Sequence, residues 1–244
     1  LTVDNIMLQT DFDAYVYTQR PTFVSSTMAR VEASAFDGTK KIATKGVQWS
    51  TDKSSWTTVK AGEDGVAELT SLPRGRTIYY RGYATIASGE ILYGDVLSLT
   101  TLSFTTGSGT EDNPYLIGST ADWTSLRTYV DAGNDCAGLT FALKNSFTLT
   151  NLSKISSTFN GTIDGRGNTI TLQTGKFNAL FETLGDKGTV KNLIVKAVSI
   201  TTTAHRNAVV CIYNSGTITN CNIYVGGIDF SAGKNFGGIC SDNN

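Results

Sequence analysis

Histidine is nearly missing from this chain: His205 is the only one in 244 residues, accompanied by just 3 prolines and 4 cysteines. His205 follows Thr201-Thr202-Thr203-Ala204 in what reads as a loop, with no serine or cysteine nucleophile motif beside it, so serine hydrolase chemistry has no support. Cys136, Cys211, Cys221 and Cys240 form no C-x-x-C pair and have no histidine partner. They lack metal-ligand spacing and leave the redox compartment open. No G-x-S-x-G, P-loop or dinucleotide fingerprint is present, which excludes the cofactor enzymes those motifs mark. Charge of one sign is not in excess either: 10 basic and 11 acidic residues occur through Thr105, then 10 and 10. Without a basic excess to neutralise phosphates, nucleic acid and anionic membrane surfaces are poor partners. No apolar run approaches the ~18 residues of a membrane helix, and the stretch from Leu1 shows no basic-then-apolar signal segment. A leader removed earlier is compatible with that start.

What is present favours strands. Threonine numbers 36 and Phe plus Tyr 21, while charged residues make up 17% against a typical ~25%. With 40% hydrophobic residues the chain can bury a core. Its length suits two modest domains. Through Thr105, short alternating runs are punctuated by turn residues every eight to twelve positions, predicting strands over 2–9, 27–35, 46–50, 55–60, 65–70, 77–84 and 95–100. Trp49 sits mid-strand and is expected between two sheets, with a sugar-stacking platform as the competing reading. The run Leu72-Pro73-Arg74-Gly75-Arg76-Thr77-Ile78-Tyr79-Tyr80-Arg81-Gly82-Tyr83-Ala84, followed by Gly94-Asp95-Val96-Leu97-Ser98-Leu99-Thr100-Thr101, resembles the last two strands of fibronectin type III-like domains. It departs at Ile78, where that family usually places its corner tyrosine. The resemblance implies a sandwich serving as a spacer, without chemistry of its own.

Residues 106–113 are small and polar, as expected of a linker between a domain at 1–105 and another at 114–244. Glu111, Asp112 and Asn113 offer oxygens there, but three adjacent polar residues lack the spaced ligands of a Ca²⁺ site. A helix follows: Ser119 and Asp122 make a capping-box-like start, Trp123, Leu126 and Val130 share a face, and Gly133 supplies the stop. One short helix ahead of a β-rich stretch suggests a cap.

The last ninety residues repeat. Gly161-Thr162-Ile163 recurs as Gly188-Thr189-Val190 and Gly216-Thr217-Ile218, and Asn178-Ala179-Leu180-Phe181 as Asn207-Ala208-Val209-Val210 and Asn235-Phe236-Gly237-Gly238. At a step of 28, Val190 matches Ile218, Asn192 matches Asn220, Leu193 matches Cys221, Val195 matches Ile223 and Ile200 matches Ile228. Alternation within each copy has period two, so each unit is a coil of short strands rather than a pair of helices. Stacked coils set equivalent residues ~4.8 Å apart, which forms apolar ladders inside and Asn ladders at turns. Cys211 and Cys240 fall at one position of neighbouring coils, and Cys221 replaces Leu193, so all three are expected as ladder members. The spacing permits a Cys211–Cys240 disulfide without requiring one.

The run Asn113-Pro114-Tyr115-Leu116-Ile117, then Phe159-Asn160-Gly161-Thr162-Ile163-Asp164-Gly165-Arg166-Gly167-Asn168-Thr169-Ile170, Asn178-Ala179-Leu180-Phe181 and Gly188-Thr189-Val190-Lys191-Asn192-Leu193 closely resembles the GLUG-motif right-handed β-helix proteins of bacterial surfaces. The resemblance covers roughly residues 107–244 and implies a secreted or outer-surface, adhesin-like protein. It transfers no catalytic or binding residue. The chain stops at Asn244 after a third Asn-x-Gly-Gly-like segment, so further coils, or end-to-end self-association, are expected beyond an uncapped coil.

The competing chemistry is that of a polysaccharide lyase or glycosidase, because Ile163-Asp164-Gly165-Arg166-Gly167 also resembles a turn of pectate lyase-type β-helices. Asp164 has Lys191 and Thr219 at the matching positions of the next coils, and Glu182, Asp186 and Asp229 do not repeat in register. No carboxylate pair for glycoside hydrolysis is visible. Trp56, Tyr213 and Tyr224 can stack on sugar rings or pack half-buried. The expectation is therefore an all-β protein: an Ig- or fibronectin III-like sandwich, then a helix-capped right-handed parallel β-helix of about four coils. Its expected role is noncatalytic adhesion at a bacterial surface, with an extracellular glycan or host or matrix protein as partner. No cofactor, metal or catalytic residue is assigned, the ligand-binding residues are unknown, and no segment inserts into a membrane. The alternative is a polysaccharide-degrading enzyme or a carbohydrate-binding accessory module of one.

Overall fold

The computed structural model describes residues 13–149, 154–173, 175–176, 179–197, 200–201, 206–229 and 235–243. The strand expected over 2–9, Asn178 and His205 lie outside them. The chain divides into two compact units, with the division between Thr101 and Leu102.

The first unit is a fibronectin III-like sandwich. Its strands are β1 (Tyr15–Val24), β2 (Ala29–Phe36), β3 (Ile42–Ser50), β4 (Thr57–Lys60), β5 (Val66–Leu69), β6 (Thr77–Ile86), β7 (Ile91–Tyr93) and β8 (Leu97–Thr100). One sheet runs β1-β2-β5, the other β4-β3-β6-β7 with β8 also on β6, and every pairing is antiparallel. Alternation buries Val31, Ala33, Val47, Leu69, Ile78 and Leu99 between the sheets, leaving polar neighbours outside. Trp49, expected between the sheets, is only half-buried. Val47, two residues earlier on the same face, is the strand's core residue. The pattern did not reveal β1, because Pro21 interrupts it; the structure tolerates that proline at an edge strand with register shifts on either side.

The second unit is a parallel β-solenoid of about four turns with one short helix. A five-stranded sheet stacks Tyr115–Ile117, Thr140–Leu143, Thr162–Asp164, Thr189–Lys191 and Thr217–Thr219. A four-stranded sheet stacks Phe147–Leu149, Thr169–Leu172, Ile194–Ala197 and Asn222–Val225, and a three-stranded one Phe181–Leu184, Cys211–Asn214 and Cys240–Asn243. Period-two alternation points Ile163 and Val190, then Ile170 and Val195, into the core. The predicted register holds for Val190 with Ile218, Val195 with Ile223 and Ile200 with Ile228.

The series that begins with Asn178-Ala179-Leu180-Phe181 is out by one. Phe181 pairs with Cys211 instead of Val210, and Asn207 pairs with Phe236 instead of Asn235. The turns differ in length there, so the ladder follows the hydrogen bonds and the inward side chains rather than the asparagines.

Helix α1 (Thr120–Asp131) starts and stops as its residues predict. Ser119 Oγ accepts from the Asp122 N–H at 3.2 Å, Asp122 Oδ2 accepts from the Gly118 N–H at 3.0 Å, and Gly133 takes φ +96. The helix packs on the outermost strands of both sheets, Tyr115–Ile117 and Phe147–Leu149, burying Trp123, Leu126, Tyr129 and Val130. An aromatic row runs from Phe104 through Tyr115, Phe141, Phe159 and Phe181 to Trp123, with ring centroids 5.1–6.2 Å apart. Residues 106–113, expected as a linker, are tied into this unit: Gly109 O accepts from the Thr140 N–H, and Glu111 pairs with Lys191 at 3.0 Å. A small polar run also suits a turn braced by its own side chains.

Candidate functional site

The flank of the solenoid is built from corners. After Lys191 the chain turns through Asn192 (φ 55), and after Thr219 through Asn220 (φ 51), both left-handed. The coil of Thr162–Asp164 spans the same corner with four residues, 165–168, against three, 144–146, in the coil before it and two, 192–193, in the coil after. In that longer turn Arg166 itself takes φ 51. Gly165 lies so close to the next coil that a Cβ would stand 2.4 Å from Asn192 O, so no side chain fits there.

Asp164 ties the corner together. Its Oδ1 accepts from the Arg166 N–H at 2.9 Å and from Asn192 Nδ2 at 3.0 Å, and Asn192 Oδ1 accepts from Asn220 Nδ2 at 2.7 Å. Each amide donates back toward the carboxylate, which leaves Asn220 Oδ1 as the outermost acceptor of the row. Beside this row lies a groove of about 330 Å³ lined by Arg166, Gly167, Asn192, Ile194, Asn220 and Asn222, contributed by three successive coils. Arg166, Asn220 and Asn222 are exposed.

The carboxylates of this unit mostly serve structure. Asp122 caps the helix, Asp131 accepts from the Ser156 and Ser157 N–H groups, and Asp135 accepts from Asn160. Glu182 pairs with Lys154, Asp242 with Arg206, and Glu111 with Lys191. Asp164 pairs in register with Lys191, which in turn pairs with Thr219, as the sequence spacing predicts. Among the described residues, no group of three His, Cys, Asp or Glu side chains could hold a metal ion. The outward positions instead carry Thr162, Thr189 and Thr217 as one ladder.

Of the aromatics singled out as stacking candidates, Tyr224 is open, at 56% exposure, with Lys196 Nζ 5.9 Å from its ring. Tyr213 is half-buried and takes a hydrogen bond from Arg206 at 2.6 Å. Trp56 lies on the sandwich, where Arg81 is held between its ring and that of Tyr93 at 4.2 and 3.8 Å and donates to Gln48. Arg81 covers one face of the Trp56 ring. Cys211 and Cys240 are register partners and free thiols. Burial pushes the Cys211 thiol up to about 12, which removes it as a nucleophile near neutral pH.

No protein-family model and no curated protein matches the chain. Among solved structures, the sixth fibronectin type III domain of human fibronectin type III domain containing protein 3 is 19% identical over 36% of this chain and 83% of its own, with a TM-score of 0.32. A family 28 exopolygalacturonase of Yersinia enterocolitica is 10% identical, covering 76% of this chain and 41% of its own, with a TM-score of 0.30. Pectate lyase PelI of Erwinia chrysanthemi, solved with tetragalacturonic acid, is 12% identical over 89% and 79%, with a TM-score of 0.22. Likenesses at this level say nothing of activity.

The sequence pattern pointed to Asp164 and to the Asn192 and Asn220 ladder, and the structure brings these three together. It did not point to Arg166, Ile194 or Asn222 as neighbours of a groove. The available signal was the pair of extra residues around Arg166, visible only once the coils are aligned strand by strand.

Proposed function

We propose that this chain is a noncatalytic, adhesin-like protein of an extracellular bacterial surface, with a GLUG-type right-handed β-helix that binds a glycan or an extracellular protein through its flank. The sandwich serves as spacer. The observation carrying this reading is the commitment of most carboxylates in this unit: Asp131, Asp135, Asp164, Glu182 and Asp242 each hold a turn, a backbone N–H or a cation. A hydrolase needs two carboxyl groups flanking a substrate cleft, one of them able to give up a proton. A flank of threonine and asparagine ladders offers hydroxyls and amides for binding instead. The test is a glycan array read alongside a reducing-sugar release assay, in which retention without product release is expected.

The alternative, a polysaccharide-degrading enzyme or its accessory module, draws on the presence of Arg166 and Asp164 in one corner. Product release that disappears on Asp164→Ala would favour it. End-to-end self-association belongs to the same proposal: Ile218, Ile223 and Val225 in the last coil are half-buried and Ile239 is 41% exposed. Sedimentation that shifts with concentration, and stops shifting on Ile239→Glu, is the expected result.

A further inference from the structure

We infer that the corner groove lined by Arg166, Ile194, Asn220 and Asn222 is the ligand subsite of this flank, and that it takes a sugar unit bearing a carboxylate. The inference rests on the binding reading above and adds the site and the ligand class. Three observations carry it.

The first is the cost of placing Arg166. The corner is served in the next two coils by two residues, yet here four are used, and the arginine sits at φ 51 between two glycines. An L-residue with a long side chain is disfavoured in that region, and such outliers collect at ligand sites. The turn is also held firmly, since Asp164 Oδ1 accepts from the Arg166 N–H and the Gly167 N–H donates to Asn192 O at 2.8 Å. A braced backbone presents the guanidinium from a fixed point, which limits the entropy lost on binding.

The second is what remains unpaired. Lys154, Lys191 and Arg206 on the same coils each meet a carboxylate; of the described exposed cations that meet none, Lys187, Lys196 and Arg166 among them, it is Arg166 that lines the groove. Asn220 gives one amide N–H to Asn192 and keeps the other beside its carbonyl oxygen, and Asn222 adds a second amide one strand along. The groove therefore offers a planar donor fork and two amides that can each donate and accept, beside the apolar side chain of Ile194.

The third is the balance of charge. The fork matches a carboxylate with two parallel hydrogen bonds, the amides match ring hydroxyls, and Ile194 matches the C–H face of the ring. One cation suits one monoanion. A chain of phosphates or sulfates draws on several cations, whereas Arg166 is the one charged side chain that lines this groove.

The test is calorimetric titration of the full chain with uronate tetrasaccharides of the glucuronate, galacturonate and mannuronate types. Their carboxyl-reduced counterparts and a sulfated tetrasaccharide serve as comparisons. At least one uronate is expected to bind, with its carboxyl-reduced form about tenfold weaker. Arg166→Gly relieves the backbone while removing the fork, so it is expected to leave the melting temperature equal or higher and to weaken uronate binding by about tenfold. Asn222→Ala is expected to cost about threefold. Uronate binding that survives Arg166→Gly overturns the subsite and leaves the binding reading standing. Tighter binding of the sulfated sugar through Arg166 overturns the carboxylate as the ligand group. If no glycan binds at all, both this inference and the glycan form of the proposed function fall.

Discussion

The first turns of the solenoid and its last described turn share a register and the same kinds of inward side chain, yet they differ in how far those side chains leave water. Val190 and Val195 are fully buried, while Ile218 and Ile223, their partners one coil later, are half-buried. At the other end, helix α1 and the aromatic row from Phe104 to Trp123 close the core. A stacked fold gains its stability from neighbours on both sides, so identical residues are worth different amounts according to their place in the stack.

The strongest way to break that contrast is at the capped end. Trp123→Ala is expected to cost about 3–5 kcal/mol, read as a fall in the urea midpoint, because it opens a cavity beside Phe181. A cost below about 1 kcal/mol would show that the helix does not hold the core shut. Trp123 Nε1 is buried with no hydrogen-bond partner, so the loss is one of packing alone.

A matched pair sharpens the comparison. Val195→Ala is expected to cost about 2–3 kcal/mol, but Ile223→Ala, which removes more atoms, only about 1, because its side chain is already partly wet. Equal costs would mean that the last coil is covered in solution.

Alkali tests the same core through its thiols. Burial pushes the Cys211 thiol to about 12 from its usual 9.0, and raises the Cys136 thiol and the Tyr129 phenol as well. Above about pH 9 the unfolded chain loses these protons while the folded chain keeps them, so stability is intact below that pH and falls steadily as pH rises toward 12. Melting temperatures that stay level from pH 8 to 11 would contradict the burial of these groups.

The smallest effect concerns the cysteine pair. Cys240 is half-buried and Cys211 and Cys136 are buried, so mild alkylation is expected to mark Cys240 and to spare the other two until the chain unfolds. Oxidation is expected to join Cys211 to Cys240, since partners in neighbouring parallel strands lie within bridging distance. Mass spectrometry after non-reducing digestion reads both results.

Much of this contrast was legible in the residues. Ser119, Asp122 and Gly133 mark the helix because capping is local chemistry, and Val190 with Ile218 marks the register because inward positions must match coil by coil. Pro21 hid the first described strand because a proline reads as a break until its place at a sheet edge is known. The Asn207 and Asn235 match slipped by one because recurring letters reflect turn chemistry, while pairing is decided by backbone hydrogen bonds between coils.

By itself, then, the order of amino acids determined the elements: alternation made strands, the repeat made coils, and the capping residues made one helix. The tertiary structure alone decided which side chains stand free at a corner. Arg166, Ile194 and Asn222 come from three coils separated by dozens of residues. Their meeting depends on the length of each turn and on which partners absorb the neighbouring charges, quantities that local preference does not encode.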